Sequence, residues 1–182
     1  MKKENTLIIL DWDDTLFPSS WIKDTTNLIK LNDIDHSLTS LFEMMTHIGH
    51  IIIVTNASMS WIQKSKDYLT FSRPLLDNIE FISARDEYSR KCSVQDWKKY
   101  VFKDIISKKQ YLNIISIGDA HYEYDALLSL KKIKYYKFLK NIRFIRRPKI
   151  EVLDNQIQIL EEVLPQITNM HRSSEFIFRS FH

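Results

Sequence analysis

The stretch LIILDWDDT, residues 7–15, decides how the rest of the chain is read. Its leading apolar, β-forming residues predict a strand buried on both faces, as in a parallel sheet. That strand delivers Asp11 and Asp13 together at its C-terminal edge, where open α/β sheets hold their ligands. Residues i and i+2 of a strand share a face, so continued strand geometry would aim both carboxylates into one small volume. Two carboxylates that close repel unless a cation or a shared proton intervenes. Mg²⁺, a hard ion that prefers oxygen ligands and keeps several waters, is the natural remedy. The plainer account of the same residues is a helix cap, since Asp and Thr accept hydrogen bonds from free N–H groups. The motif by itself leaves both accounts open.

Further apolar runs at residues 51–54, 79–82, 112–117 and 133–138 read as strands. Between them, residues 21–47, 58 or 60 to 69, 93–106 and 122–130 have helical spacing, with the first loosely broken at 32–35. Gly49 falls where a residue just past a helix C-terminus would lie. The alternation predicts an α/β protein: a Rossmann-like three-layer α/β/α sandwich around a mainly parallel sheet of about five strands or more, joined by right-handed crossovers. Polar clusters at 11–15, 55–56, 83–98 and 119–125 then fall at or just after strand ends, and a parallel sheet gathers those ends on one edge. That convergence lifts the opening motif above a cap. Residues 142–148 read as a basic, partly extended segment, 149–167 as a helix, and the tail beyond Asn169 as frayed or weakly tied down. The expected organisation is a single domain over 1–182, with a core of about 5–140 and the extended segment and helix at 141–170.

Apolar content of 44% and charged content of 27% fit a soluble globular chain. The one cysteine, Cys92, excludes an internal disulfide and a cysteine-based zinc site. The apolar opening is cut short by Asp11, so neither a signal peptide nor a membrane span is expected, and the protein is expected inside the cell, cytoplasmic or nuclear. With two glycines, Gly49 and Gly118, the chain cannot build a G-x-G-x-x-G fingerprint or a P-loop. The net charge of +3 is carried partly by Arg143, Arg146, Arg147 and Lys149, read chiefly as a solvated surface stretch.

Taken together, LIILDWDDT, IIIVTN, a lysine near a helix start and IISIGDAHYE resemble the motifs of the haloacid dehalogenase superfamily of phosphohydrolases. The segments DWDDTLFPSSW, VTNAS, ISARD, DWK, IGD and RFIRRP further resemble a little-characterised group of such proteins in protists and plants. The likeness runs from Leu7 to about Phe138. It implies an Mg²⁺-dependent phosphatase working through an aspartyl-phosphate on Asp11, with Asp13 as general acid and base. Asp14 stands where the family often has Gly and is read as a local hydrogen-bonding residue. Thr55 and Asn56 would bind the phosphoryl oxygens, with Lys98 as the lysine and Lys91 and Lys99 its competitors. Asp119 would bind the metal alongside Asp11 and the backbone carbonyl of Asp13. Glu123 would act behind it, with Asp125 the alternative.

Cap insertions in this superfamily follow the first motif or separate the second from the third, and neither interval here leaves room for a sizeable cap domain. An open site admits a phosphorylated macromolecule as substrate, and Phe17, Trp21 and Trp61 are candidates for its rim. Two other functions remain: a scaffold that binds a phosphorylated or nucleic-acid partner without turnover, and a phosphatase acting on polynucleotide ends. The basic stretch at 143–149 motivates the last, although it lacks interleaved aromatic residues.

Overall fold

In the computed structural model, described for residues 3–24, 28–133 and 138–179, six strands form one sheet in the order β3-β2-β1-β4-β5-β6. The strands are β1 (Thr6–Leu10), β2 (His50–Thr55), β3 (Glu80–Ser83), β4 (Asn113–Gly118), β5 (Phe138–Arg143) and β6 (Ser174–Ile177). Every pairing is parallel. The helices are α1 (Ser19–Ile22), α2 (Leu31–Ile48), α3 (Met59–Lys66), α4 (Arg73–Leu76), α5 (Ala84–Tyr88), α6 (Trp97–Lys108), α7 (His121–Ser129) and α8 (Ile150–Asn169).

The strand period of two sorts the core into two layers. Ile8, Leu10, Ile51, Ile53, Ile115 and Ile117 pack with the apolar faces of α2 and α8. Leu7, Ile9, Ile52, Val54 and Ile114 pack with Val101, Phe102 and Ile105 of α6 and with Ala126 and Leu127 of α7. This is the expected α/β three-layer sandwich, and among the described residues no separate lid covers the strand ends. No helix of the described residues is long and apolar enough to cross a membrane.

Several boundaries differ from the sequence reading. The fifth strand is Phe138–Arg143, so the extended reading of 142–143 belongs to the sheet, and residues 134–137 of the expected strand lie outside the described residues. The tail is paired: β6 runs beside β5 from Lys140↔Ser174 to Arg143↔Ile177, and Phe178 N donates to the Arg143 carbonyl at 2.9 Å. Backbone hydrogen bonds to the free side of β5 order this segment despite its polar composition. The expected break at 32–35 lies inside α2, where Asp35 is buried and accepts from Thr70 N, Phe71 N (2.7 Å) and Ser72 N (2.8 Å). Gly49 closes α2 in extended backbone, φ −164°, and its value is space: a Cβ there would lie 3.1 Å from the Ile8 side chain. Phe17 is a core residue, stacked on Trp12 with ring centroids 5.7 Å apart, and forms no rim.

Candidate active site at the strand ends

β1 ends at Leu10, so the strand geometry that would put Asp11 and Asp13 on one face does not persist. The chain turns instead, with the N–H groups of Leu16 and Phe17 both donating to the Trp12 carbonyl at 2.9 Å. Asp14 occupies the tight point of this turn at φ 56°, a left-handed conformation that Asp tolerates better than most residues. Its carboxylate accepts from Ser20 N at 2.7 Å, which is the local role expected of it.

Asp11 and Asp13 consequently have different surroundings. Asp11 follows the parity of Leu7 and Ile9 toward the α6 layer and is buried beside Lys98, whose Nζ lies 2.7 Å from Asp11 Oδ1. Lys98 therefore supplies the counter-charge to this buried oxygen. Asp13 accepts from Trp61 Nε1 at 2.8 Å, from Thr55 Oγ1 at 3.3 Å and from Ser19 Oγ. Its side chain is thereby committed to neutral donors.

Lys98, in the first turn of α6, is 2% exposed and is ion-paired to both Asp11 and Glu123. Lys91 instead lies over the Tyr88 ring, and Lys99 pairs with Asp96, so neither competitor occupies this place. Ser93 does not open the helix as its spacing suggested; Asp96 is the residue before α6, and Ser93 Oγ donates to its carboxylate. Burial alone would lower the Lys98 pKa, but Asp11 and Glu123 outweigh it and raise it, keeping the ammonium charged.

Glu123 is buried where Asp125 is exposed. It accepts from Ala120 N at 3.2 Å through Oε2 while Oε1 meets Lys98. Gly118 makes this possible, because a Cβ at 118 would lie 2.6 Å from Glu123 Cδ. The glycine at the end of β4 therefore admits a charged side chain across its backbone.

Asp119 completes the group. Carboxylate oxygens of Asp11, Asp119 and Glu123 lie within 4.8 Å of one another. Burial, reinforced by Glu123 and Asp14, raises Asp119 to about 7. Asp11 is also pushed well above the ordinary carboxylate range, by burial first, with Lys98 opposing. Clustered carboxylates of this kind, lining a cleft, fit a hard divalent cation. Asp11 and Asp119 are the freer pair, since both oxygens of Glu123 are engaged. The Asp13 carboxylate stands outside this trio.

Asp11, Asp13, Thr55, Asn56, Lys98, Asp119 and Glu123 all line one cleft of about 500 Å³. Thr55 closes its floor, wholly buried and also accepting from Ala57 N at 3.0 Å, while Ser58 caps α3. The Asn56 Oδ1 atom is buried without a partner. The cleft also holds Arg85, Arg146 and Arg147, none assigned to it by the sequence reading. The last two belong to the basic stretch that was read as surface; Arg85 lies in the ISARD segment and the 83–98 polar cluster, which the sequence placed at this edge without giving the arginine a role. His121 is exposed and opens α7, so it is a helix residue rather than the loop residue its place beside the acids suggested.

No family model matches the chain and no curated protein matches it, so the site is read from its own residues.

Proposed function

We propose that the protein is an Mg²⁺-dependent phosphomonoester hydrolase of the haloacid dehalogenase type. The observation that carries this reading is the buried Asp11–Lys98–Glu123 arrangement beside Asp119 at the C-terminal edge of the central strands. An isolated buried carboxylate is costly, and a chain that needed only a packed core would fill this place with apolar side chains.

Asp11 and Asp119, with the Asp13 carbonyl, would hold the ion. When bound, Mg²⁺ supplies positive charge to the phosphoryl oxygens and so lets an anionic nucleophile approach. Thr55 Oγ1 and the Asn56 backbone N–H would bind phosphoryl oxygens, and Lys98 would fix Asp11 in its attacking orientation. An Asp11 carboxylate oxygen attacks phosphorus, forming the Asp11–phosphorus bond as the bond to the leaving oxygen breaks. Asp13, protonated for this step, gives its proton to that oxygen. Water then attacks the phosphorus and loses a proton to Asp13; inorganic phosphate departs and Asp11 is restored. Acid and base assistance of this sort contributes roughly 10²–10⁴ in rate.

The test is phosphate release from a generic aryl phosphate with Mg²⁺ or EDTA, compared with Asp11→Asn. Metal-dependent release that the variant lacks supports the reading. Release of equal size from the variant, or none from the wild-type protein across a panel of phosphomonoesters, rejects it.

A further inference from the structure

On the phosphatase reading just given, we propose that the cleft is the closed end of a longer cationic groove that takes a single strand of nucleic acid by its phosphorylated end. The terminal phosphate reaches Asp11, and the next backbone phosphates lie along the arginines of the β5–α8 turn and the segment after β6.

The depressions that make up the groove adjoin. A second depression of about 380 Å³, lined by Arg143, Phe144, Phe178 and Arg179 among others, shares Asp119, Ala120 and Arg146 with the cleft. A further branch toward Lys99 shares Arg146 and Tyr122 with it. Arg146 is common to all three.

Most of its cations make no close ion pair. Among the described residues, Arg85, Arg146, Arg147 and Arg179 make no ion pair, and Arg143 alone is held, by Glu175 at 3.5 Å. The turn that carries two of them is fixed on both sides. Phe144 N donates to the Gly118 carbonyl at 2.9 Å, and Ile145 N donates to the buried Gln156 Oε1 at 2.7 Å. Arg147 itself stands at φ 46°, a left-handed conformation that a long side chain adopts seldom, directly before Pro148.

One phosphate needs one anion site, and on that reading Thr55 and the Asn56 N–H, with the ion, would furnish it. Guanidinium groups that continue outward without carboxylate partners answer to a ligand whose negative charge repeats, and their planar fork matches phosphate oxygens in pairs. Asp11 lies buried at the bottom of the cleft, so the ligand must end in its phosphate and have slack behind it, as a single strand does and a paired duplex end does not. Tyr122, where the cleft meets the Lys99 branch, provides an aromatic ring at the point where a terminal base would stack.

The probe is a short fluorescent oligothymidylate with a terminal phosphate, its binding followed by anisotropy over a salt series, with wild-type protein and Arg179→Glu. Arg179 is exposed and outside the cleft, and an unchanged thermal melt would show the variant folded. The expected result is affinity that falls steeply with salt, by about 0.7 in log–log slope for each phosphate engaged. The variant should bind about tenfold more weakly with a slope shallower by about one contact. Its kcat/KM for the phosphorylated strand relative to an aryl phosphate should drop by a similar factor. Salt-insensitive binding, an unaffected variant, or equal competition by an acidic phosphopeptide of the same charge would overturn the proposal. Strand binding without phosphate release from any substrate would remove the hydrolase and leave the groove; aryl phosphate hydrolysis without strand binding would do the reverse.

Discussion

The indole N–H of Trp61 donates to Asp13 Oδ1 at 2.8 Å, so α3 orients a carboxylate that the turn after β1 delivers. Replacing Trp61 by Phe removes the donor and keeps an aromatic ring beside Phe17, whose centroid is 6.1 Å away. The expected outcome is a fall in kcat of about tenfold, the size of one lost hydrogen bond of about 1–1.5 kcal/mol, with KM little changed. Steady-state kinetics alongside a thermal melt would show it. A loss of stability that accounts for all of the lost activity would contradict a positioning role.

Lys98 stands between two buried acids, and its removal leaves them without a counter-charge. Lys98→Met should destabilise the fold by about 3–5 kcal/mol near neutral pH, read from urea unfolding midpoints. Adding Glu123→Gln should recover part of that loss, because one uncompensated carboxylate disappears. Equal stabilities of the single and double variants would argue against the pairing.

Asp119 titrates at about 7 because it is buried near Glu123 and Asp14. Its folded pKa lies above the ordinary value of 3.8, so the folded state holds a proton that the unfolded state has released between those values. In EDTA this group's contribution to stability should therefore be full below about pH 4 and be lost as pH rises through about 7. Asp119→Asn should flatten that part of the Tm–pH curve. Added Mg²⁺ should raise the Tm of the wild-type protein most at the alkaline end, where the proton no longer competes. A wild-type curve that rises between pH 5 and pH 8 in EDTA for reasons traced to Asp119 would refute the assignment.

Lys140, on β5, is wholly buried, with Nζ donating to the Thr168 carbonyl at 2.9 Å, and burial lowers it to about 8. A lysine depressed on folding makes stability rise as pH climbs from about 8 toward 10.5. Lys140→Met should therefore be as stable as the wild type or more so at pH 7, by about 1–2 kcal/mol, and lose that margin at high pH. The Thr168 carbonyl keeps Asn113 Nδ2 at 3.2 Å in the variant. Chemical denaturation at the two pH values would measure the difference.

Asp35 anchors the loop between α3 and α4 by accepting three backbone N–H groups and the Ser72 hydroxyl. Asp35→Ala strands those donors at a buried position and should cost about 2–4 kcal/mol, with Ser72→Ala costing clearly less. Urea unfolding of the two variants would rank them.

The sheet and the edge where the acids gather were legible in the sequence, because β1, β2 and β4 are runs of apolar residues that end in polar ones. Lys98 was preferred to Lys91 on the resemblance, inside a helix placed to start at Ser93, whereas α6 starts at Trp97 and puts Lys98 in its first turn. What could not be read was anything set by partners distant along the chain. Lys140 and Asn141 look like strand breakers, yet β5 sits between β4 and β6, so backbone pairing overrides their composition. Asp35 looked like a helix break because the loop it holds is more than thirty residues away. The common face expected of Asp11 and Asp13 failed for a local reason, the turn that opens at Trp12, between them. Arg146 and Arg147 were visible as charge but not as cleft residues, since their direction depends on the hydrogen bond from Ile145 to Gln156.

The middle of the sheet is closed by β1 against β4, with Thr6 opposite Asn113, a separation of 107 residues. A nascent chain must keep its first strand waiting until that partner has left the ribosome, a high-contact-order closure that folds slowly. The acids of β1 and β4 meet only at that moment. A fragment truncated before β4 would lack Asp119 and Glu123 altogether, so such an incomplete chain should sequester no divalent ion at this place however well its first half collapses.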